Sequence, residues 1–216
     1  AGGSDEAGGM VWNLGYDRVN GIAGTGSGYF YRDEWRKNNK GYEHSLLITG
    51  ENLLKAAAAE GFETVETADR DYGLTFTSDA FTEGEQVGKI VVHFYSGGKT
   101  TTLGYREELG GYVAYQQKAY LLDGNTGENL LFENVLVLKT DSSVIDGKGH
   151  LRVETTGEGS GWYARDGRLI EIKWSRDSED SPFTYTDENG NPLSFGVGKS
   201  YITFIPHDSP VEFLSE

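Results

Sequence analysis

The stretch Gly161-Trp162-Tyr163-Ala164-Arg165-Asp166-Gly167-Arg168-Leu169-Ile170-Glu171-Ile172-Lys173-Trp174 decides the fold. Side chains of a strand alternate between two faces. Trp162 and Ala164 therefore oppose Tyr163 and Arg165 on one arm. Leu169, Glu171 and Lys173 oppose Ile170, Ile172 and Trp174 on the other. Asp166-Gly167 tolerates the positive φ angles of a type I′ turn, whose twist suits two paired strands. The stretch predicts a β-hairpin. Upstream, Val135-Leu136-Val137-Leu138 is the longest apolar run and has no polar alternation. It predicts a strand covered on both sides. From His150 the pattern alternates, with Leu151, Val153 and Thr155 expected to face inward. The region from Asn129 to Trp174 thus predicts a four-stranded meander.

Composition agrees with a sheet-rich chain. Hydrophobic residues make up only 37%, but 13 Tyr, 4 Trp and 31 Gly fit many strands and turns rather than disorder. A length of 216 residues suits one large or two small domains. The net charge of −15 argues against general nucleic-acid binding and against docking on anionic lipid through a basic face. The absence of Cys excludes disulfides, thiolate catalysis and Cys-ligated zinc together. No apolar run is long enough for a transmembrane helix. The chain opens at Ala1-Gly-Gly-Ser without Met and without a signal peptide, so it is expected to be processed or a fragment.

Outward from the hairpin, Lys89 to Tyr95 alternates with Ile90, Val92 and Phe94 on one face. Ser96-Gly-Gly98 turns it into Lys99 to Arg106, and Glu107 to Gly111 turns that into Tyr112 to Gln117. Thr184 to Thr186 and Pro192 to Phe195 flank a turn at Asn189-Gly190, and Tyr201 to Ile205 is a final strand halted by Pro206. One clear helix is predicted, from about residue 50 to 60. Thr49 caps it, Leu53, Leu54, Ala57 and Ala58 form its apolar face, and Gly61 stops it. Asp33 caps a short helical turn, and residues 1–30 read as irregular. The fold class is α+β, mostly antiparallel sheet. The expected organisation is an α-containing segment over residues 1–65 and an antiparallel β domain over residues 80–206.

Several motifs resolve to plain turns. Gly196-Val-Gly-Lys-Ser200 imitates the end of a phosphate loop, but Leu193 stands where its first Gly belongs and strand-like residues follow. The Gly21 to Gly28 loop lacks the strand and helix of a dinucleotide fingerprint and reads as a mobile or partner-covered loop. Asp123-Gly-Asn-Thr-Gly127 starts like a calcium loop but has Glu128 and Asn134 at the positions for Gly and the closing Glu. None of the four His forms a close metal-ligand pair, and no Gly-x-Ser-x-Gly elbow occurs. His44, beside Glu43, is the one His whose setting suggests acid–base work. Tyr112, Tyr115, Trp162, Tyr163 and Trp174 make either a buried aromatic core or an exposed strip for stacking on sugars or peptides, the core being the commoner arrangement.

Three ordered segments carry a resemblance. The first is Ala1-Gly-Gly-Ser-Asp-Glu-Ala7 with Tyr31-Arg-Asp-Glu34 and Glu43-His-Ser-Leu-Leu-Ile-Thr49. The second is the Tyr-rich hairpin into Leu121-Leu-Asp123 and Glu133-Asn-Val-Leu-Val137. The third is Gly157-Glu-Gly-Ser-Gly-Trp-Tyr-Ala-Arg-Asp-Gly-Arg-Leu-Ile170 with Trp174, Tyr185, Gly190-Asn-Pro-Leu193 and Gly198-Lys-Ser-Tyr-Ile-Thr-Phe-Ile-Pro206. In this order they resemble the YerB-like lipoprotein family of Gram-positive bacteria, whose function is unknown. The resemblance implies an exported protein, lipid-anchored at the extracellular face of the cell membrane. It implies that residues 1–65 are the C-terminal remnant of a larger N-terminal domain, and that the anchor lies outside this chain. Members often carry Arg two residues after the Tyr matching Tyr115, where Gln117 stands here. A remnant should expose apolar surface. It packs differently, lost its other half after folding, or is completed by a second chain in a homodimer.

The expected function is a non-catalytic binding or scaffolding module towards peptidoglycan or an envelope protein, with no cofactor, no metal and no nucleic acid. The expected binding residues are His44, Tyr115, Asp123, Asn134, Trp162 and Trp174. The rival expectation is a hydrolase or transferase acting on cell-wall polymer, with carboxylates clustered around His44. A third is a structural subunit that completes a larger assembly.

Overall fold

Asp166 and Gly167 both adopt left-handed backbone conformations, with φ of 52° and 71° in the computed structural model. The type I′ turn expected of Asp-Gly therefore forms, and the two long arms pair in register from Gly157↔Arg176 to Arg165↔Arg168. The structure describes residues 5–65, 72–95, 98–116 and 119–215, with the side chains of residues 5–7 left out. The Ser96-Gly97 part of one expected turn, the N-terminal Ala1-Gly-Gly-Ser4 and Gln117 lie outside the described residues. The chain divides into two compact units, Ala1–Arg70 and Asp71–Glu216.

The second unit is built on nine principal strands. They are β1 (Lys89–His93), β2 (Thr100–Arg106), β3 (Gly111–Gln116), β4 (Asn134–Thr140), β5 (Gly157–Arg165), β6 (Arg168–Arg176), β7 (Thr184–Asp187), β8 (Ser200–Pro206) and β9 (Val211–Leu214). One sheet has the order β7-β6-β5-β4-β8, with Glu85–Gln86 added beside β6. The other runs β9-β1-β2-β3 and continues into Ala119–Tyr120, with Leu131–Phe132 also pairing β3.

The two sheets pack face to face. Ile90, Val92, Leu103, Tyr112 and Ala114 of one meet Val135, Val137, Ala164, Leu169 and Ile205 of the other. The opposite face of the β4–β5–β6 sheet is covered as well. Leu136, Leu138, Tyr163, Ile172, Trp174 and Tyr185 lie under Phe81, Phe183, Leu193 and Phe195. Phe195 is held there by a small parallel ribbon, Ser194–Gly196 on Thr75–Thr77. This double burial explains the unbroken apolar run of β4, since each of its faces has a core of its own. Ile90, Val92 and Phe94 share the inner face of the second sheet, as their alternation predicts.

The structure corrects the meander. β4 pairs antiparallel with β5 but parallel with β8, so the sheet is mixed. Leu151 and Val153 do not face inward. They lie on a separate two-stranded ribbon, Ser142–Val144 with Leu151–Val153, and Leu151 is 61% exposed. The place beside β4 is taken by the longer β5, which offers large side chains to both cores. A three-residue strand has no comparable surface to bury. Tyr201 to Ile205 is not the last strand either. The chain turns after Pro206 and delivers β9 to the edge of the other sheet, where Phe213 packs on Trp162 at 5.2 Å.

The first unit holds three α-helices among its described residues rather than one: α1 (Asp5–Asn13), α2 (Glu34–Lys40) and α3 (Gly50–Ala59). Gly8 and Gly9 hide α1 from a propensity reading. The expected caps form. Asp33 accepts from the Arg36 amide and Thr49 from the Asn52 amide. The predicted apolar face of α3 is not the buried one. Ala56 is buried, whereas Leu53 and Leu54 are exposed. The reason is polar. Asn52 donates to the Tyr29 carbonyl at 3.2 Å and Glu60 accepts from the Gly26 amide at 2.7 Å. Residues 52, 56 and 60 share a helix stripe, so these bonds turn that stripe towards Thr25–Tyr29. The Gly21 to Gly28 segment is thereby packed on α3 rather than left as an open loop.

Buried phenols make the second unit sensitive to alkali. Burial pushes the pKa of Tyr163 up and that of Tyr185 up to about 12, and raises that of Tyr112 further. The Tyr112 hydroxyl makes no hydrogen bond of normal geometry among the described residues. A raised folded pKa means the fold favours the protonated phenol. Its contribution to stability is complete below the ordinary value of 10.0 and is lost as pH rises through the folded value. Stability should therefore hold to about pH 10 and then fall steeply. Phenolate absorbance followed against circular dichroism checks this: these three of the 13 Tyr should ionise only as the sheets are lost. Titration of every phenol near 10 with the dichroism intact would refute it.

Candidate functional site

The β4–β5–β6 sheet is longer than the sheet that covers it. Strand periodicity puts Glu158, Ser160 and Trp162 on one face of β5, and Glu171, Lys173 and Ser175 on the same face of β6. Thr184 and Thr186 of β7 join them, opposite Ser175 and Lys173. Trp162 marks the edge of the buried zone. It packs on the core, touches Phe213, and carries the Lys139 ammonium over its ring at 5.1 Å. Beyond Trp162 lies a groove of about 500 Å³ lined by Glu158, Ser160, Lys173, Ser175, Thr184 and Thr186 together with Gly159 and Trp174.

The groove's chemistry follows from its residues. Ser175 and Thr184 hydroxyls bond each other at 2.6 Å. Ser160 and Thr186 make no side-chain hydrogen bond among the described residues, and Glu158 and Lys173 form no ion pair there. Gly159 adds a patch of apolar floor. Its Cα–H side lies against the Trp174 indole so closely that a Cβ would come within 2.5 Å of Nε1. The site thus offers one cation, one anion and several hydroxyls on a rigid sheet. That set suits binding of a polar chain.

Of the residues expected to bind, Trp174 is among those lining the groove, and Trp162 stands two positions from Ser160 on the same strand face. Trp174 is 2% exposed and projects to the opposite face, where it packs on Phe183 and Phe204 and donates to the Lys139 carbonyl at 3.1 Å. Asn134 is fully enclosed. Its Oδ1 accepts from the Tyr163 hydroxyl and the Gly196 amide, each at 2.7 Å, and its Nδ2 donates to the Gly196 carbonyl at 2.9 Å. Beside this network the guanidinium of Arg165, also buried, donates to the Asp79 carbonyl and lies 3.4 Å from Asp166.

The others are not among the groove's lining residues. Tyr115 sits on the outer face of the second sheet, edge-on to Tyr120 at 5.2 Å. The Asp123 carboxylate accepts from the Asn125 and Thr126 amides, which holds its pKa below the usual range. That binds it into the turn. His44 belongs to the first unit. Its side chain is 65% exposed, and the carboxylate beside it is Glu43 at 3.7 Å. The paired acids of the hydrolase expectation do not assemble there among the described residues. Tyr112, Tyr163 and Trp174 are core residues, Trp162 is half-buried and Tyr115 is exposed, so the set does not form one strip. Gly196 to Ser200 is a bend between the short ribbon and β8, as its poor match to a phosphate loop predicts. Among the described residues no group of three His, Asp or Glu side chains is placed to hold a metal ion. No helix among them is long and apolar enough to cross a membrane. Sequence reading missed Glu158, Ser160, Lys173, Thr184 and Thr186. Their shared face follows only from pairing β5 with β6 and β7.

Comparison with known proteins gives two findings. The model of the family described as protein of unknown function (DUF3048), C-terminal domain, matches residues 90–202. The crystal structure of the YerB protein from Bacillus subtilis superposes with a TM-score of 0.76 at 19% sequence identity, over 97% of this chain and 68% of that one. At that identity the likeness concerns the fold. No curated protein matches.

Proposed function

This chain belongs to the family of proteins of unknown function (DUF3048) through its C-terminal domain, and on that premise we propose that it is a cell-envelope module that binds wall material without cleaving it. The observation that carries the reading is the polar groove beyond Trp162. It presents the charges of Glu158 and Lys173 and the hydroxyls of Ser160 and Thr186, which have no side-chain partner among the described residues, on a paired sheet. The backbone that carries them is fixed by strand pairing, so binding has only the side chains to order. The partner in this reading is peptidoglycan, and the full-length protein stands lipid-anchored at the extracellular face of the cell membrane. Support for the location comes from the ordered likeness to the YerB-like lipoproteins. The net charge of −15 sets nucleic acid aside as partner.

A pelleting assay with purified peptidoglycan sacculi, at low and moderate salt, tests the reading. The expected result is retention of the chain with no muropeptide or glycan in the supernatant by mass spectrometry. Filling the groove by Ser160→Trp, at an exposed position, should cut retention at least about tenfold, a loss on the order of 1.4 kcal/mol. Released fragments, or retention indifferent to the filled groove in a variant with unchanged melting, would overturn it.

A further inference from the structure

The strand register gives the groove a specific charge pattern. Glu158 stands opposite Ser175, and Ser160 opposite Lys173. Glu158 and Lys173 are therefore diagonal neighbours on one face, roughly 7–8 Å apart at the backbone. They are close enough to meet, yet no ion pair joins them. The charged side chains of this face are Glu158, Glu171 and, opposite Leu169, Glu85, with Lys173 and Lys139, the last drawn over the Trp162 ring. The groove end of the face, with Glu158 beside Lys173, carries both signs within a chain whose net charge is −15. A simple anion meets overall repulsion there, and a simple cation has no single acidic cluster to enter.

We propose that the groove takes a short peptide segment bearing both a free ammonium and a free carboxylate. The ammonium is held by Glu158 and the carboxylate by Lys173. Ser160 and Thr186, whose hydroxyls are uncommitted, serve the amide groups between. A fully extended di- or tripeptide spans roughly 7–10 Å, comparable with the backbone separation of the two charged residues. The proposal rests on the reading of the groove as the binding surface. It names the peptide of the wall polymer, rather than its glycan, as the part that is gripped.

Nuclear magnetic resonance titration of the intact chain tests this with four probes: trialanine, N-acetyl-trialanine, trialanine amide and diacetylchitobiose. Trialanine should shift the amide signals of Ser160, Lys173 and Thr186, and capping either end should weaken binding at least about tenfold. In Lys173→Met the preference for a free carboxylate should vanish while that for a free ammonium persists. Glu158→Gln should show the converse. Both residues are exposed, so unchanged melting temperatures confirm folded variants. Equal binding of capped and uncapped peptides, shifts confined to other residues, or tighter binding of diacetylchitobiose at the same amides would overturn the proposal. Retention on sacculi without trialanine binding overturns the ligand class and leaves wall binding standing. Trialanine binding without retention upholds the ligand class and overturns the wall as its source.

Discussion

Asn134→Ala should lower the stability of the second unit by about 3–5 kcal/mol. Asn134 is 0% exposed and satisfies three groups at once: the Gly196 amide, the Gly196 carbonyl and the Tyr163 hydroxyl. Alanine removes all three partners and leaves the groups enclosed. Each orphaned group costs about 1–3 kcal/mol. The Ser194 carbonyl, 3.5 Å from the Tyr163 hydroxyl, offers partial relief for one of them. The predicted loss corresponds to a fall in melting temperature of roughly 10 °C for a unit of this size. Urea unfolding should show a lower midpoint with an unchanged slope. His44→Ala is the natural comparison, because that side chain is 65% exposed and meets only Glu43. It should change stability by less than about 0.5 kcal/mol. Equal effects of the two substitutions would show that the enclosed amide is not what joins the short ribbon to β4.

Trp174→Ala should be similarly costly, about 3–5 kcal/mol, for a different reason. The indole fills the second core between Phe183 and Phe204, each with ring centroids at 5.9 Å. Its removal leaves a cavity that strands paired on both sides cannot close. Trp174→Phe retains most of the volume but leaves the Lys139 carbonyl without the indole donor. That variant should lose only about 1–2 kcal/mol. Thermal melts of the two variants side by side separate packing from hydrogen bonding. A phenylalanine variant as damaged as the alanine one would assign the role to the hydrogen bond instead. Either result bears on function too. Loss of binding in Trp174→Ala follows from loss of fold, whereas Ser160→Trp acts on the groove with the fold intact.

Local chemistry explains which parts were legible. The Asp-Gly turn, the Asp33 and Thr49 caps and the two-sided burial of Val135 to Leu138 each depend on residues within one or two turns or strands of each other. Their physics is complete in a short window. α1 was hidden because its glycines carry little propensity. The stripe of α3 was misread because side-chain amides and carboxylates, not the leucines, meet the neighbouring segment. The six residues first singled out for binding were chosen by type. Their burial and separation depend on contacts that type alone does not carry.

The sequence by itself determined the sheet-rich character, the hairpin and its turn, most strands of the second unit before Val211–Leu214 and the balance of charge, because periodicity, turn conformation and composition are local quantities. Only the tertiary structure decided that β4 runs parallel to β8, that the Leu151 strand stays outside the sheet, that Trp174 and Asn134 are core, and that Glu158 and Lys173 stand diagonally on one open face. Each of these is a choice of partner between segments distant in sequence. Such choices are settled by which pairing buries the most apolar surface while satisfying every enclosed polar group, and that comparison exists only when the whole fold is assembled.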